Sequence, residues 1–203
     1  IKLMEQFGAD GVRLGMLLCS SAGNDILFDE SQVEQGRNFC NKIWNAYRLI
    51  RGWEVSEDVA QSEHSKLAAE WFDNKLSQTI DTVDDMFAKF RLSDALMTLY
   101  KFFWDDFCAW YLEVIKPEYG KPIDKVTYDA TIVFFEKLLR LLHPIMPFIT
   151  EELWQNIEER KDGQTIMLQP QPKASAYSAD TIHAFEQGVG AIASIRNIRQ
   201  SKG

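Results

Sequence analysis

The sequence is poor in the residues that build covalent or metal-centred frameworks. Its three cysteines, Cys19, Cys40 and Cys108, are odd in number, lie far apart and form no C-x-x-C pair; His64, His143 and His183 are equally scattered. That pattern argues against a disulfide framework or a zinc site, and for reduced, buried thiols in a cytoplasmic protein. No apolar run reaches the ~20 residues needed to cross a bilayer, so no membrane association is expected. No signal peptide is visible, no Met opens the chain, and the pattern begins in mid-course at Ile1. The sequence therefore reads as a fragment of a longer polypeptide. A net charge of −8 is the wrong sign for a nucleic-acid partner unless the cations are segregated on one face.

What is present is core-forming material. The chain is 46% hydrophobic, with thirteen Phe and six Trp in 203 residues, enough for one globular unit with an extension. The stretch LLRLLHPIMPFITEELW, 138–154, predicts a buried corner. An apolar helix end stops at Pro144 and Pro147, which cannot continue it, and Thr150 is the expected N-cap of the next helix. Asp10 is expected to cap a helix carrying Val12, Met16, Leu17 and Leu18. A turn is expected over Ser20–Asp25, and Asp29 with Gln32 has capping-box spacing for a helix reaching about Arg51. Residues 54–65 read as a solvated connection. Further helices are expected from about Leu67 to Phe90, from Ser93 to Lys116 and from about 127 to His143. Asp180 is expected to cap a last one along Ile182, Phe185, Val189, Ile192 and Ile195. Thr165–Pro172 reads as a lone or edge strand. The fold class is all-α, a bundle of about six main helices plus one short extended segment.

One helix differs from the rest. At 100° per residue, Val33, Gly36, Phe39, Cys40, Ile43, Trp44, Tyr47 and Ile50 fall on one side of residues 31–51. Glu34, Arg37, Asn38, Asn41, Lys42, Asn45 and Arg48 fall within roughly 140° on the other, with Leu49 projecting into the same arc. Asparagine is a mediocre helix former, yet three lie on this face. Arg37, Lys42, Arg48 and Arg51 oppose the single acid Glu34, so this stretch is positive in an acidic chain. Cations hold phosphates, and asparagine offers a donor and an acceptor to a base edge, adenine above all. A helix does not enter the narrow groove of A-form RNA, so base reading targets unpaired loops. The same face would also suit an acidic protein partner, and a simple wet surface fits the pattern about as well.

Gly8-Ala9-Asp10 with Arg13, Asn24-Asp25-Ile26 with Phe28-Asp29-Glu30, and Arg37-Asn38-Phe39-x-Asn41-Lys42-x-Trp44-Asn45-Ala46-x-Arg48 resemble the valyl-tRNA synthetase family. So do WDDFCAWYLEVIK at 104–116, HPIMPFITEELWQ at 143–155 and Ile195-Arg196-Asn197-x-Arg199. The match starts just after that family's KMSKS loop and runs in the family's order through nearly the whole chain. The resemblance implies an anticodon-binding helical bundle of the class I synthetase type. The expected division is the end of a stem-contact region over 1–30, the bundle over 31–162, and an extended segment with a C-terminal helix over 163–203. It implies that Lys42 lies at the anticodon of valine tRNA, with Arg37, Asn38, Asn41, Asn45, Arg48 and Leu49 as further candidate tRNA-binding residues. Leu49 stands where relatives often carry an aromatic ring, and Ser31 where they often carry a basic residue.

The resemblance further implies a parent valine–tRNA ligase that uses ATP with Mg, of which this segment holds neither catalytic nor editing apparatus. No HIGH-type or KMSKS motif occurs, and Gln200-Ser201-Lys202-Gly203 is not one. Glu151 and Glu152, like Asp105 and Asp106, are sequence neighbours and do not face each other on a helix, so no catalytic residue, metal ligand or cofactor is assigned. The expected partners are valine tRNA and the rest of a synthetase chain, and the expected state is a monomer. Trp104, Phe107, Trp110 and Tyr111 are read as a packed helix face. Arg196, Arg199 and Lys202 are read as a link to a C-terminal region.

Overall fold

The computed structural model describes residues 2–19 and 28–201. The turn expected over Ser20–Asp25, the Asn24-Asp25-Ile26 block and Lys202 lie outside them. The chain runs through α1 (Lys2–Phe7), α2 (Ala9–Leu18), α3 (Glu30–Arg51), β1 (Val55–Ser56), α4 (Glu63–Ala88) and α5 (Leu92–Lys101). A π-helical segment (Phe102–Tyr111), α6 (Leu112–Ile115), β2 (Ile123–Asp124), α7 (Lys125–Leu142) and α8 (Pro147–Ile157) follow, then a 3₁₀ turn (Ile166–Leu168) and α9 (Ala179–Ser201). The architecture is the expected all-α bundle.

Phe72 of α4 is the hub of the core. Its ring lies 5.1 Å from Phe102, 5.4 Å from Phe107, 4.8 Å from Tyr111 and 5.0 Å from Phe134. The π-helical segment helps supply these rings. Its i→i+5 turn is wider than an α turn, and Phe102, Phe103, Phe107 and Tyr111 are all buried along it. The thiols expected to be buried are half-buried, and desolvation pushes the pKa of Cys40 and Cys108 up to about 12.

Several local expectations change. Residues 54–65 are not wholly a loop, because Val55 and Ser56 pair in parallel with Ile123 and Asp124. Phe90 lies past the end of α4 at φ 58° and is 83% exposed, so it is not on the helix's apolar face. Arg91, not Ser93, precedes α5, and the Ser93 hydroxyl instead donates to the Leu17 carbonyl in the last turn of α2 at 2.8 Å. The Ser178 hydroxyl, not Asp180, accepts the Thr181 N–H at the start of α9. Thr165–Pro172 forms no strand: the Thr165 side chain accepts the Met167 N–H and opens the 3₁₀ turn.

The proline corner is buried as expected, but its chemistry is different. Helix α8 begins at Pro147, whose fixed φ suits a first helical position. Thr150 is therefore inside the first turn, its hydroxyl bonded to the Met146 carbonyl at 2.7 Å and to His143 Nδ1 at 2.8 Å. The acid serving the α8 N-terminus comes from α2. The Phe148 and Ile149 N–H groups donate to the buried Asp10 carboxylate at 3.4 and 2.7 Å. Asp10 thus caps α8 across the fold rather than its own helix. Arg13 completes the clasp, donating from Nε to the Ile145 carbonyl at 2.8 Å and from Nη2 to Pro144 at 3.2 Å.

Candidate nucleic-acid interface

Helix α3 is seated from two sides, and that seating decides which way its polar face points. Asp29 caps it as expected, accepting the Ser31 N–H at 2.9 Å. On one side α2 crosses it backbone to backbone. A Cβ at Gly15 would lie 2.6 Å from Val33 Cα, and one at Gly36 would meet the Gly11 carbonyl oxygen and stand 3.0 Å from Gly11 Cα. On the other side Phe39 packs at 4.7 Å from Tyr100 and 5.5 Å from Phe103. Tyr47 stacks on Phe135, and its hydroxyl donates to the Asn156 carbonyl at 2.9 Å. Because α2 is itself clasped to the corner before α8, rotation of α3 about its axis would break contacts on both flanks.

The remaining face is turned to solvent. Asn38, Asn41, Asn45 and Arg48 are exposed and make no hydrogen bond or ion pair with any described residue. Their amide and guanidinium groups are therefore available to a ligand. Lys42 is half-buried, its Nζ 4.9 Å from the centroid of the Trp104 ring, which Tyr100 stacks on at 5.6 Å. Such a cation–π contact holds the ammonium at one edge of the face without consuming its N–H donors. Leu49 is 39% exposed beside it. Arg37 differs from the others. Its guanidinium lies 5.6 Å from the Phe7 ring centroid and 3.6 Å from Glu34, and its buried Nε has no hydrogen-bond partner among the described residues. Arg37 is drawn toward α1, and the other six candidates share the open face. Ser31, the position where a cation was missing, bonds the Asp29 carboxylate through its hydroxyl at 2.6 Å.

Two placements were not anticipated. Trp44 falls on the buried side of the helical wheel but is 41% exposed. Among the described residues Tyr47 is the ring against it, at 6.2 Å, and an i+3, i+4 pattern cannot report where a neighbouring layer stops. Trp104 and Trp110 are half-buried, whereas Phe107 and Tyr111 are in the core, so the supposed packed face is two-sided. Arg196 lies 5.4 Å over the Trp110 ring, which ties α9 to the bundle itself.

Comparison with known proteins then decides the family. Residues 69–203 match the anticodon-binding domain of tRNA ligase. The chain belongs to that family. Valine–tRNA ligases of Porphyromonas gingivalis and Phocaeicola vulgatus are 56% and 55% identical to it over 202 residues, covering all of this chain and 23% of each relative. That of Fusobacterium nucleatum is 38% identical over 215 residues. The anticodon-binding chain thus spans about a quarter of the length of the curated relatives it matches. Its fold is shared with LeuRS of Agrobacterium radiobacter K84, solved in a ternary complex with tRNA and LeuAMS, at 19% identity and TM-score 0.55 over 89% of this chain and 21% of that one.

Proposed function

We propose that this chain is the anticodon-recognition domain of a valine–tRNA ligase, and that α3 reads the anticodon loop of valine tRNA. The observation that carries the reading is the solvent-facing strip of Asn38, Asn41, Asn45 and Arg48, whose side chains have no hydrogen-bond or ion-pair partner among the described residues. It is supported by more than 50% identity to two valine–tRNA ligases across the whole chain. In this reading Lys42 and Arg48 neutralise phosphates, the asparagine amides meet base edges, and Leu49 packs on a splayed base. Arg37 acts mainly by holding α1 against α3. The parent enzyme attaches valine to its tRNA with ATP and Mg in the cytoplasm, works as a monomer, and keeps its catalytic groups and cofactors elsewhere in the longer chain.

The proposed division places the end of a stem-contact region at 1–30, the anticodon bundle at 31–162, and an extended segment with the C-terminal helix at 163–203. The family match begins only at residue 69, but α3 packs its Phe39 and Tyr47 on α5, the π-helical segment and α7, so it belongs with the bundle.

The test is binding of valine tRNA to this chain. Lys42→Glu should weaken binding at unchanged helix content by circular dichroism. Each neutralised phosphate should contribute about −0.7 to the slope of log K against log salt. Exchanging anticodon bases should weaken binding as well. A salt-independent affinity, or indifference to both the Lys42 change and the anticodon, would remove α3 from the interface and leave an acidic protein as the partner for its cations.

A further inference from the structure

The indole of Trp44, which the wheel assigns to the apolar side, is a large exposed group bordering the open face of α3. It follows Asn41 by three residues and precedes Arg48 by four, so the three share one strip of helix surface. Its 41% exposure leaves a large apolar ring in water, an arrangement that favours whatever covers it. The ring does not hang free. Tyr47 backs it at 6.2 Å between centroids and 47° between planes. Tyr47 is itself fixed by its hydrogen bond to the Asn156 carbonyl at 2.9 Å and by stacking on Phe135 at 26°. Among the described residues no other ring or cation lies against Trp44. Trp104, by contrast, is already engaged by Lys42 and Tyr100.

We propose that Trp44 is a base-stacking residue, taking the face of one unpaired base of the anticodon loop while Arg48 meets that nucleotide's phosphate and Asn41 its edge. The proposal rests on the tRNA-reading function given above and adds a second edge to it. Lys42 and Leu49 work along one margin of the strip, and Trp44 along the other. A planar ring held on a fixed support loses little freedom when a base settles on it. Stacking tolerates any base, since every base has a π-face. The indole would therefore supply affinity and position the loop, while the amides supply discrimination.

The test titrates this chain with a labelled anticodon stem-loop of valine tRNA at several salt concentrations. Trp44→Leu keeps apolar bulk against Tyr47 and removes the stacking face; Trp44→Phe restores a smaller one. The leucine variant should bind roughly tenfold more weakly, the phenylalanine variant should recover much of that loss, and the salt slope should stay at its wild-type value because no phosphate contact is lost. A stem-loop made abasic at the stacked position should bind wild type and Trp44→Leu alike, which identifies the nucleotide. Equal affinity of the leucine variant and wild type, while Lys42→Glu still weakens binding, overturns the stacking role and leaves the tRNA-reading function intact. Equal losses for leucine and phenylalanine also overturn it, as does a changed salt slope. If Lys42→Glu and Trp44→Leu are both silent, the function proposed for α3 falls with it.

Discussion

Helices α3 and α9 are nearly equal in length, 22 and 23 residues, and opposite in how they use it. Helix α3 buries Val33, Gly36, Phe39, Ile43, Ala46 and Ile50, and its glycine touches the backbone of α2. Helix α9 buries Ile182, while Ile192, Ile195 and Ile198 are 45%, 54% and 55% exposed. Its glycines, Gly188 and Gly190, have open space where a side chain would stand. Both helices show regular apolar spacing in the sequence. The difference is that α3 is held between α2 and the aromatic layer, whereas α9 lies against the bundle mainly through its first half, by the Trp71–Phe185 stack at 4.3 Å and the Lys75–Glu186 ion pair at 2.5 Å. Apolar spacing thus reports which residues would gain from cover; it does not report whether the cover is present in the same segment.

The sharpest way to break the comparison is to deny α3 its close crossing. Gly36→Val would place branched carbon against the Gly11 carbonyl and Cα, backbone atoms that cannot yield as a flexible side chain would. Overpacking of this kind costs typically 1–3 kcal/mol and more where backbone must move, so the upper end of that range is expected in chemical denaturation. Because α2 and α3 must part, loss of tRNA binding should accompany it.

A smaller effect is expected at the clasp that holds α2 in place. Asp10→Ala leaves the Phe148 and Ile149 N–H groups of α8 without their acceptor, at a cost of about 1–3 kcal/mol. Asp10→Asn keeps an oxygen there and should cost less. The two also separate in pH dependence. Burial raises the Asp10 pKa against the lowering effect of its two N–H donors and of Arg13. The folded state therefore holds the proton more tightly than the unfolded chain. The stability linked to this group is full at low pH and falls as pH rises above the ordinary carboxylate value of about 3.9. Denaturation midpoints of Asp10→Asn across this acidic window should lack that decline; an unchanged pH profile would show that Asp10 does not titrate in the window.

These residues also show what was legible beforehand. The helices and the buried corner could be read because proline, cap residues and apolar spacing act locally. That the polar strip of α3 faces outward was legible because its spacing is local; the pattern itself fits a ligand-binding face and a wet surface equally well. The role of Asp10 was not, since its partners lie 138 and 139 residues away and a carboxylate early in a helix looks like a local cap. Nor was the exposure of Trp44, because the wheel places it beside Cys40 and Tyr47, both half-buried, and only the edge of the neighbouring layer separates them. The π-helical segment leaves no local mark either; it answers to the packing of Phe102, Phe107 and Tyr111 around Phe72.

The gentlest test lies at the other helix. Glycine inside a helix is less favourable than alanine by roughly 0.5–1 kcal/mol, largely through the freedom it gives the unfolded chain. At Gly36 that cost is repaid by the close approach of α2, but at Gly188 no atom of the described residues outside its own stretch of helix backbone stands within 4 Å of the missing Cβ. Gly188→Ala should therefore stabilise this chain by about that amount, raising the denaturation midpoint at unchanged m-value. The same substitution in a longer synthetase chain reads out what covers α9. If stabilisation persists there, the glycine is free in both settings. If it turns into destabilisation, another part of the chain approaches Gly188 as closely as α2 approaches Gly36, and the two helices differ only in where their partners are encoded.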